Sequence, residues 1–456
     1  MRVLNFNVKL AFFMLVAFLP LSWITVYGVG DSSIKLYHLT IIPLLICCFY
    51  KSFRHKIFVF VKENRFIMSC FLLLMSMNFV SMSINSLIIP HASIYVIKNL
   101  VYFFFFTLLG GMCLSLFNLE NTSKLLTQSS FICVCTFIVI ASIGFKATGG
   151  NFLGDMVKFF ISGDINGLRH DLYKTLFNGG TYGKDADFAT ALINTIIGSF
   201  IFVHFLSLYA LRTSKSRLQK GLNIFSLIFS FFFVVSSISR SNIIAIGFGY
   251  MIYWGLEIVY NNNVKKVVSL VSSVLVLTAV MIVFGSKMQD AVSNMSNMYQ
   301  ARFGDLDENI RWQLNAEAIE TFTSNAKSFI FGSGSGALLS DGKSVHNFII
   351  GSAYQAGIFG LILSSLFYFT ILSSLIRFAP LLSRYKFAFI LAAVMSLPLI
   401  RQMESGDAGS LTLQEWFCLA FFLSFVINKK LSVKNSENYV SSVVLTYKKP
   451  GTLVRV

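Results

Sequence analysis

Residues 94–118 read IYVIKNLVYFFFFTLLGGMCLSLFN, with Lys98 as the one charged side chain. A helix crosses a bilayer with about 20 apolar residues, and this stretch exceeds that. Four consecutive phenylalanines, Phe103 to Phe106, suit a surface that faces lipid rather than water. Working outward, further apolar runs occur at about 10–28, 34–50, 66–86, 128–145, 188–211, 221–238, 242–260, 266–285, 346–376, 387–401 and 411–427. The second and eleventh runs are short. The first reads as a retained helix with interfacial Trp23 and Tyr27, because no small-residue cleavage site follows it. The expected fold is all-α: a polytopic integral membrane protein of about 12 transmembrane helices.

Composition agrees. The 456 residues are 55% hydrophobic and 12% charged, whereas soluble domains carry about 25% charged residues. The net charge of +17 raises nucleic acid as a partner. No basic patch interleaved with stacking aromatics lies outside the apolar runs, so no nucleic-acid partner is expected. The seven cysteines all fall in apolar segments, where they serve as small fillers rather than disulfides or zinc ligands.

The short gaps set the orientation. One side holds Lys51, Arg54, Lys56, Lys62 and Arg65 in one gap and Arg212, Lys215, Arg217 and Lys220 in another. The opposite side's short gaps hold only Lys35, Lys98, Arg240 and Arg401. By the positive-inside rule both termini are cytoplasmic. Two long loops, about 146–187 and 286–345, then face outward and are periplasmic in a Gram-negative cell. Residues 1–427 form the transmembrane domain, and the polar segment 428–456 reads as a disordered cytoplasmic tail. Within the loops, 151–162 has the pattern of an interfacial amphipathic helix. Asp307 can cap a helix running to about Thr323. No internal repeat is visible, and with loops of such unequal length this argues against a transporter.

The chemistry concentrates in Arg311-Trp312, then Phe331-Gly332-Ser333-Gly334-Ser335-Gly336, then His346-Asn347-Phe348, Gly357 and Gly360. Glycines let backbone N–H groups approach an anion closely. Arginine presents a fork of donors that fits phosphate oxygens. Histidine titrates near neutral pH and can accept a hydroxyl proton. Each residue also has a plainer explanation. Arg311 can pair with Asp307 or Glu308 on its own helix, His346 can cap a span, and the glycines can make a flexible turn. Arg240 is harder to dismiss, because a charge between two closely spaced apolar runs is costly unless it meets water or an anion. Asp305-Leu306-Asp307 reads as a helix cap rather than a metal site.

This constellation resembles the O-antigen polymerase and O-antigen ligase superfamily. The resemblance is sharpest from Arg302 to Gly360, where an arginine-bearing loop helix, a Gly-x-Gly turn and a His-Asn pair at the next helix start follow in order. Trp312 departs from the family pattern by following Arg311 directly. Ser239-Arg240-Ser241-Asn242 matches a second family feature, and Arg169 to Gly180 has the Arg-x10-Gly spacing of polymerases. The resemblance implies a metal-independent inverting glycosyltransferase of the inner membrane, without a cofactor. Its donor is a glycan on undecaprenyl diphosphate, and a chain-length regulator is a candidate partner. His346 and Arg311 are the implied catalytic residues, and Arg169, Arg240, Arg302, Asn347 and Arg401 the implied substrate-binding residues. A repeat-unit polymerase of O-antigen or capsule is expected first, an O-antigen ligase second, and a polysaccharide transporter third.

Overall fold

A computed structural model describes residues 2–21, 24–27, 34–85, 90–117, 122–147, 150–162, 186–236, 240–261, 310–340, 345, 347–384, 397–399 and 411–447. These residues are overwhelmingly helical. Six stretches are long and apolar enough to cross a membrane: Val3–Leu21, Arg65–Ile84, Val96–Phe117, Lys124–Ile143, Ile196–Thr213 and Phe348–Pro380. The chain is an all-α multi-pass membrane protein.

The first expected run shifts toward the N-terminus. Helix α1 spans Arg2–Phe18 and tightens into a 3-10 turn at Leu19–Leu21. Pro20 lacks an N–H to continue the ladder, which ends the helix there. Strand β1 (Thr25–Tyr27) then pairs antiparallel with β2 (Ile34–Lys35), so the end of the expected first span is a small hairpin instead.

The second expected run is also broken. After a 3-10 turn, α2 (Ile41–Cys48) stops at Tyr50, whose backbone is extended, and α3 (Lys51–Glu63) begins. The two helical pieces are bent by 112°. The basic gap expected here as a loop is thus an amphipathic helix. Its Phe53 and Phe60, seven residues apart on one face, are fully buried. They seat on Gly110 and Gly111 of α5 (Pro90–Phe117), where a Cβ at Gly110 would collide with the Phe60 ring.

Helix α4 (Arg65–Ile84) precedes α5, and α6 (Thr122–Ala147) follows it. Helix α7 (Phe152–Ser162) is the amphipathic helix expected from sequence. Asn151 Oδ1 accepts from the Gly154 N–H, and the Asn151 N–H donates to Asp155. Phe152 and Met156 are buried, while Leu153 and Val157 stay exposed. Helices α8 (Ala186–Thr213), α9 (Arg217–Ser236) and α10 (Arg240–Asn261) follow the runs expected at 188–211, 221–238 and 242–260. The run at 266–285 lies outside the described residues, as does 387–401 apart from Leu397–Leu399.

Beyond it come α11 (Ile310–Thr323), α12 (Ala326–Phe331), α13 (Phe348–Arg384) and α14 (Leu413–Tyr447). Helix α14 continues through most of the stretch expected as a disordered tail. Aromatic contacts knit the centre. Trp416 of α14 is fully buried, with its ring centroid 4.7 Å from those of Phe71 and Phe106 and 6.1 Å from those of Phe103 and Phe367. Four helices therefore meet on one side chain. All seven cysteines are free thiols, buried or half-buried.

Candidate functional site

Helix α13 does not run straight. Its backbone leaves helical geometry at Ala356 (φ −124°, ψ 16°) and Gly357 (φ 68°, ψ −155°). A straight helix would separate positions 348 and 368 by about 30 Å. Yet the Phe348 ring lies 5.2 Å from Tyr368 and 6.1 Å from Phe367. The chain reverses at Ala356–Gly357, so the expected tenth span is a helical hairpin: a short arm, 348–355, folded back on a long arm, 358–384.

A reversal inside a helix leaves carbonyls without their intrahelical donors, and apolar surroundings supply none. Here the Gly-rich turn supplies them. The Ser333 N–H donates to Tyr354 O (2.7 Å) and the Gly334 N–H to Gln355 O (3.1 Å). Ser81 Oγ of α4 also donates to Gln355 O (2.6 Å), and Asn85 Nδ2 donates to Gly332 O (3.0 Å). Gly332 and Gly357 both have positive φ, and their backbones touch: a Cβ on Gly332 would lie 2.5 Å from the Gln355 carbonyl carbon. This corrects the sequence expectation for the turn. The N–H groups of Ser333 and Gly334 are committed to protein carbonyls and do not cradle an anion; the glycines are there because two backbones meet without side chains between them.

The same hairpin organises the candidate catalytic segment. Leu314, Ala318 and Phe322 form the buried line of α11. Leu314 and Ala318 cluster with Leu339, Val345 and Tyr354. The Ser340 N–H donates to Glu317 Oε1 (2.8 Å). Leu339, Ser340 and Val345 therefore lie in the neighbourhood of α11, which also packs on α13. Asn347 follows, and its Oδ1 accepts from the N–H groups of Ile349 and Ile350, both at 3.0 Å. Asn347 is thus the N-cap of the short arm. The helix that carries Arg311 and Val345, the residue before His346, thus share one apolar cluster.

The other expected site residues are placed only in part. Arg240 is the first residue of α10, a helix that packs on α13, and Asn242 two positions on is fully buried. The side chains of Arg240 and Arg311 lie outside the described residues. So do Arg169, Arg302, His346 and Arg401 altogether. His204, expected as structural, hydrogen-bonds the Tyr250 hydroxyl and Leu227 O.

Several polar residues near the hairpin were not singled out from sequence. Asn78, Ser81 and Asn85 lie on one face of α4, and their spacing of three and four on an apolar helix was the available signal. Thr412 and Glu415 form another group. The Thr412 N–H donates to Glu415 Oε2 (2.7 Å) and the carboxylate is fully buried. The Thr-x-x-Glu spacing before an apolar run is a legible capping signature. Gln414 beside it accepts from Ser199 Oγ of α8 (2.9 Å).

Asn78 gives a test of this packing. Both amide atoms are buried without a hydrogen-bond partner among the described residues, whereas Asn85 holds Gly332 O. Asn78→Leu is expected to leave stability unchanged or raise it, and Asn85→Leu to lower it by about 1–3 kcal/mol by stranding a buried carbonyl. Thermal unfolding of the two variants in one detergent measures the contrast.

No protein-family profile matches the chain, and no curated protein is significantly similar to it.

Proposed function

We propose that the protein is a glycosyltransferase acting on a lipid-diphosphate-linked glycan, and specifically a repeat-unit polymerase of O-antigen or capsule. The observation that carries this is the packing of α11, whose first turn carries Arg311, on α13, whose Asn347-capped start follows His346 in the chain. An arginine and a histidine on two packed elements of a membrane protein suit one reaction well. The acceptor sugar hydroxyl attacks the anomeric carbon of the donor sugar with inversion. The bond to the phosphate oxygen breaks, and the polyprenyl diphosphate leaves. His346 takes the hydroxyl proton. Arg311, together with Arg169, Arg240, Arg302 and Arg401, neutralises charge developing on the leaving diphosphate, work a metal ion performs elsewhere. Asn347 shapes the site by holding the short arm.

In this proposal the chain has twelve spans in the inner membrane, with loops 146–187 and 286–345 periplasmic and both termini cytoplasmic. One feature of the fold supports the orientation. The basic face of α3 lies at the same end as Lys430 of α14, whose Nζ is 3.5 Å from Glu63 Oε2. Cations gather at the end assigned to the cytoplasm.

The test is elongation by the purified protein in nanodiscs. A ladder of longer products should form from an undecaprenyl-diphosphate-linked oligosaccharide with no nucleotide sugar and with a chelator present. No product under any condition removes the proposal. A strain lacking the gene separates polymerase from ligase: loss of a polymerase leaves single-repeat lipopolysaccharide, whereas loss of a ligase leaves none capped and lipid-linked polymer accumulating.

A further inference from the structure

We infer that the outward face of α3 is a binding site for anionic phospholipid headgroups. Three observations point to it, and none depends on the glycosyltransferase proposal. First, α3 is turned 112° from the helix before it and so leaves that helix's line. Second, its inward face is anchored. Phe53 and Phe60 are fully buried on the Gly110–Gly111 pair, where α5 lacks side chains and admits the rings. Third, the face left outward mixes cations with apolar area. Lys51, Arg54, His55 and Lys62 are exposed, and Phe58 stands among them at 62% exposure.

The charge balance favours one occupant. The sole acid of α3, Glu63, is engaged by Lys430, which leaves Lys51, Arg54 and Lys62 as outward cations. A helix at the interface dips its apolar side chains toward the acyl boundary, while lysine and arginine reach up to phosphate. Phe58 between the cations fits that arrangement; a site for an acidic soluble protein would have no use for a phenylalanine pointed the same way. The bend into α2 and the seat on α5 fix α3 in place, so a lipid phosphate can be met without ordering a loop.

The experiment compares lipids retained by the full-length protein. Purified from nanodiscs of phosphatidylcholine mixed with phosphatidylglycerol or cardiolipin, the wild type should carry anionic lipid well above its proportion in the bilayer, by native mass spectrometry. High salt should reduce the excess. The triple variant Lys51→Gln, Arg54→Gln, Lys62→Gln should hold anionic lipid about tenfold or more weakly, since each cation near an anionic surface contributes a several-fold factor. These side chains are exposed, so the variant should unfold at the wild-type temperature in neutral detergent. Wild-type protein with no anionic excess overturns the inference. So does a triple variant that retains the excess, or co-purification of an acidic protein on α3 in place of lipid.

Discussion

Arg311→Ala is expected to lower the rate of glycan transfer by about 10²–10³-fold, the usual loss when one preorganised donor to a developing oxyanion is removed. The residue sits on the first turn of α11, and Leu314 one turn on is buried in a cluster that includes Val345 and Tyr354. A guanidinium held on a packed helix costs little reorganisation when charge appears on the leaving diphosphate. Arg311→Lys should recover only part of the rate, because an ammonium lacks the planar fork that engages two phosphate oxygens. The measurement is the initial rate of ladder formation, alongside thermal unfolding of each variant. Lost rate with retained stability supports a role in the reaction. Full activity in Arg311→Ala would remove Arg311 from the mechanism and leave the family resemblance without its principal residue.

Gly357→Ala is expected to cost the protein most of its folded population. Gly357 has φ 68° and ψ −155°, a region open in practice only to glycine, and a Cβ there would run into the Ile330 carbonyl. Neither backbone can yield freely. Ile330 belongs to α12, and the turn after it is tied to Tyr354 and Gln355. Backbone strain and overpacking together amount to about 3–6 kcal/mol, comparable with the whole stability of many domains. Size-exclusion profiles of a fluorescent fusion should shift toward aggregate, and any monomer should melt earlier than wild type. Gly221→Ala is the matched control. It lies in helix α9 with open space around it, and alanine there should be neutral or mildly stabilising. A Gly357→Ala protein of wild-type stability would mean that the chain does not reverse at this point.

How much of this was legible in advance varies with the kind of signal. Helix α7 was visible because its apolar residues recur at helical spacing between Asn151 and a polar stretch. The arginine-bearing helix α11 was visible, to its end at Thr323, from its composition; its expected cap, Asp307, lies outside the described residues. The hairpin in α13 was not. Residues 348–376 form one unbroken apolar run, and a glycine within such a run reads the same whether the helix passes through it or turns back. The chain's choice depended on α4, more than 240 residues away: Ser81 supplies a donor to a carbonyl that the reversal strands, and Asn85 holds the turn that supplies the others. The Gly-Ser-Gly turn was noticed, but whether its N–H groups serve a ligand or the protein stayed open, because their true acceptors belong to a break that sequence does not display. The bend before α3 went unseen for a related reason. A basic stretch after a short apolar run reads as a cytoplasmic loop, unless the Gly110–Gly111 pair that receives Phe53 and Phe60 is known to lie opposite.

Composition and spacing alone determined that this protein lives in a bilayer as a bundle of helices. Burying so much apolar surface in lipid while satisfying every backbone donor leaves few other solutions. Tertiary structure alone decided that Asn347 begins a short arm folded back on the rest of α13 and that Gly332 and Gly357 meet at the reversal. Those outcomes turn on unpaired carbonyls finding donors on distant helices, and local spacing carries no record of which helix stands opposite.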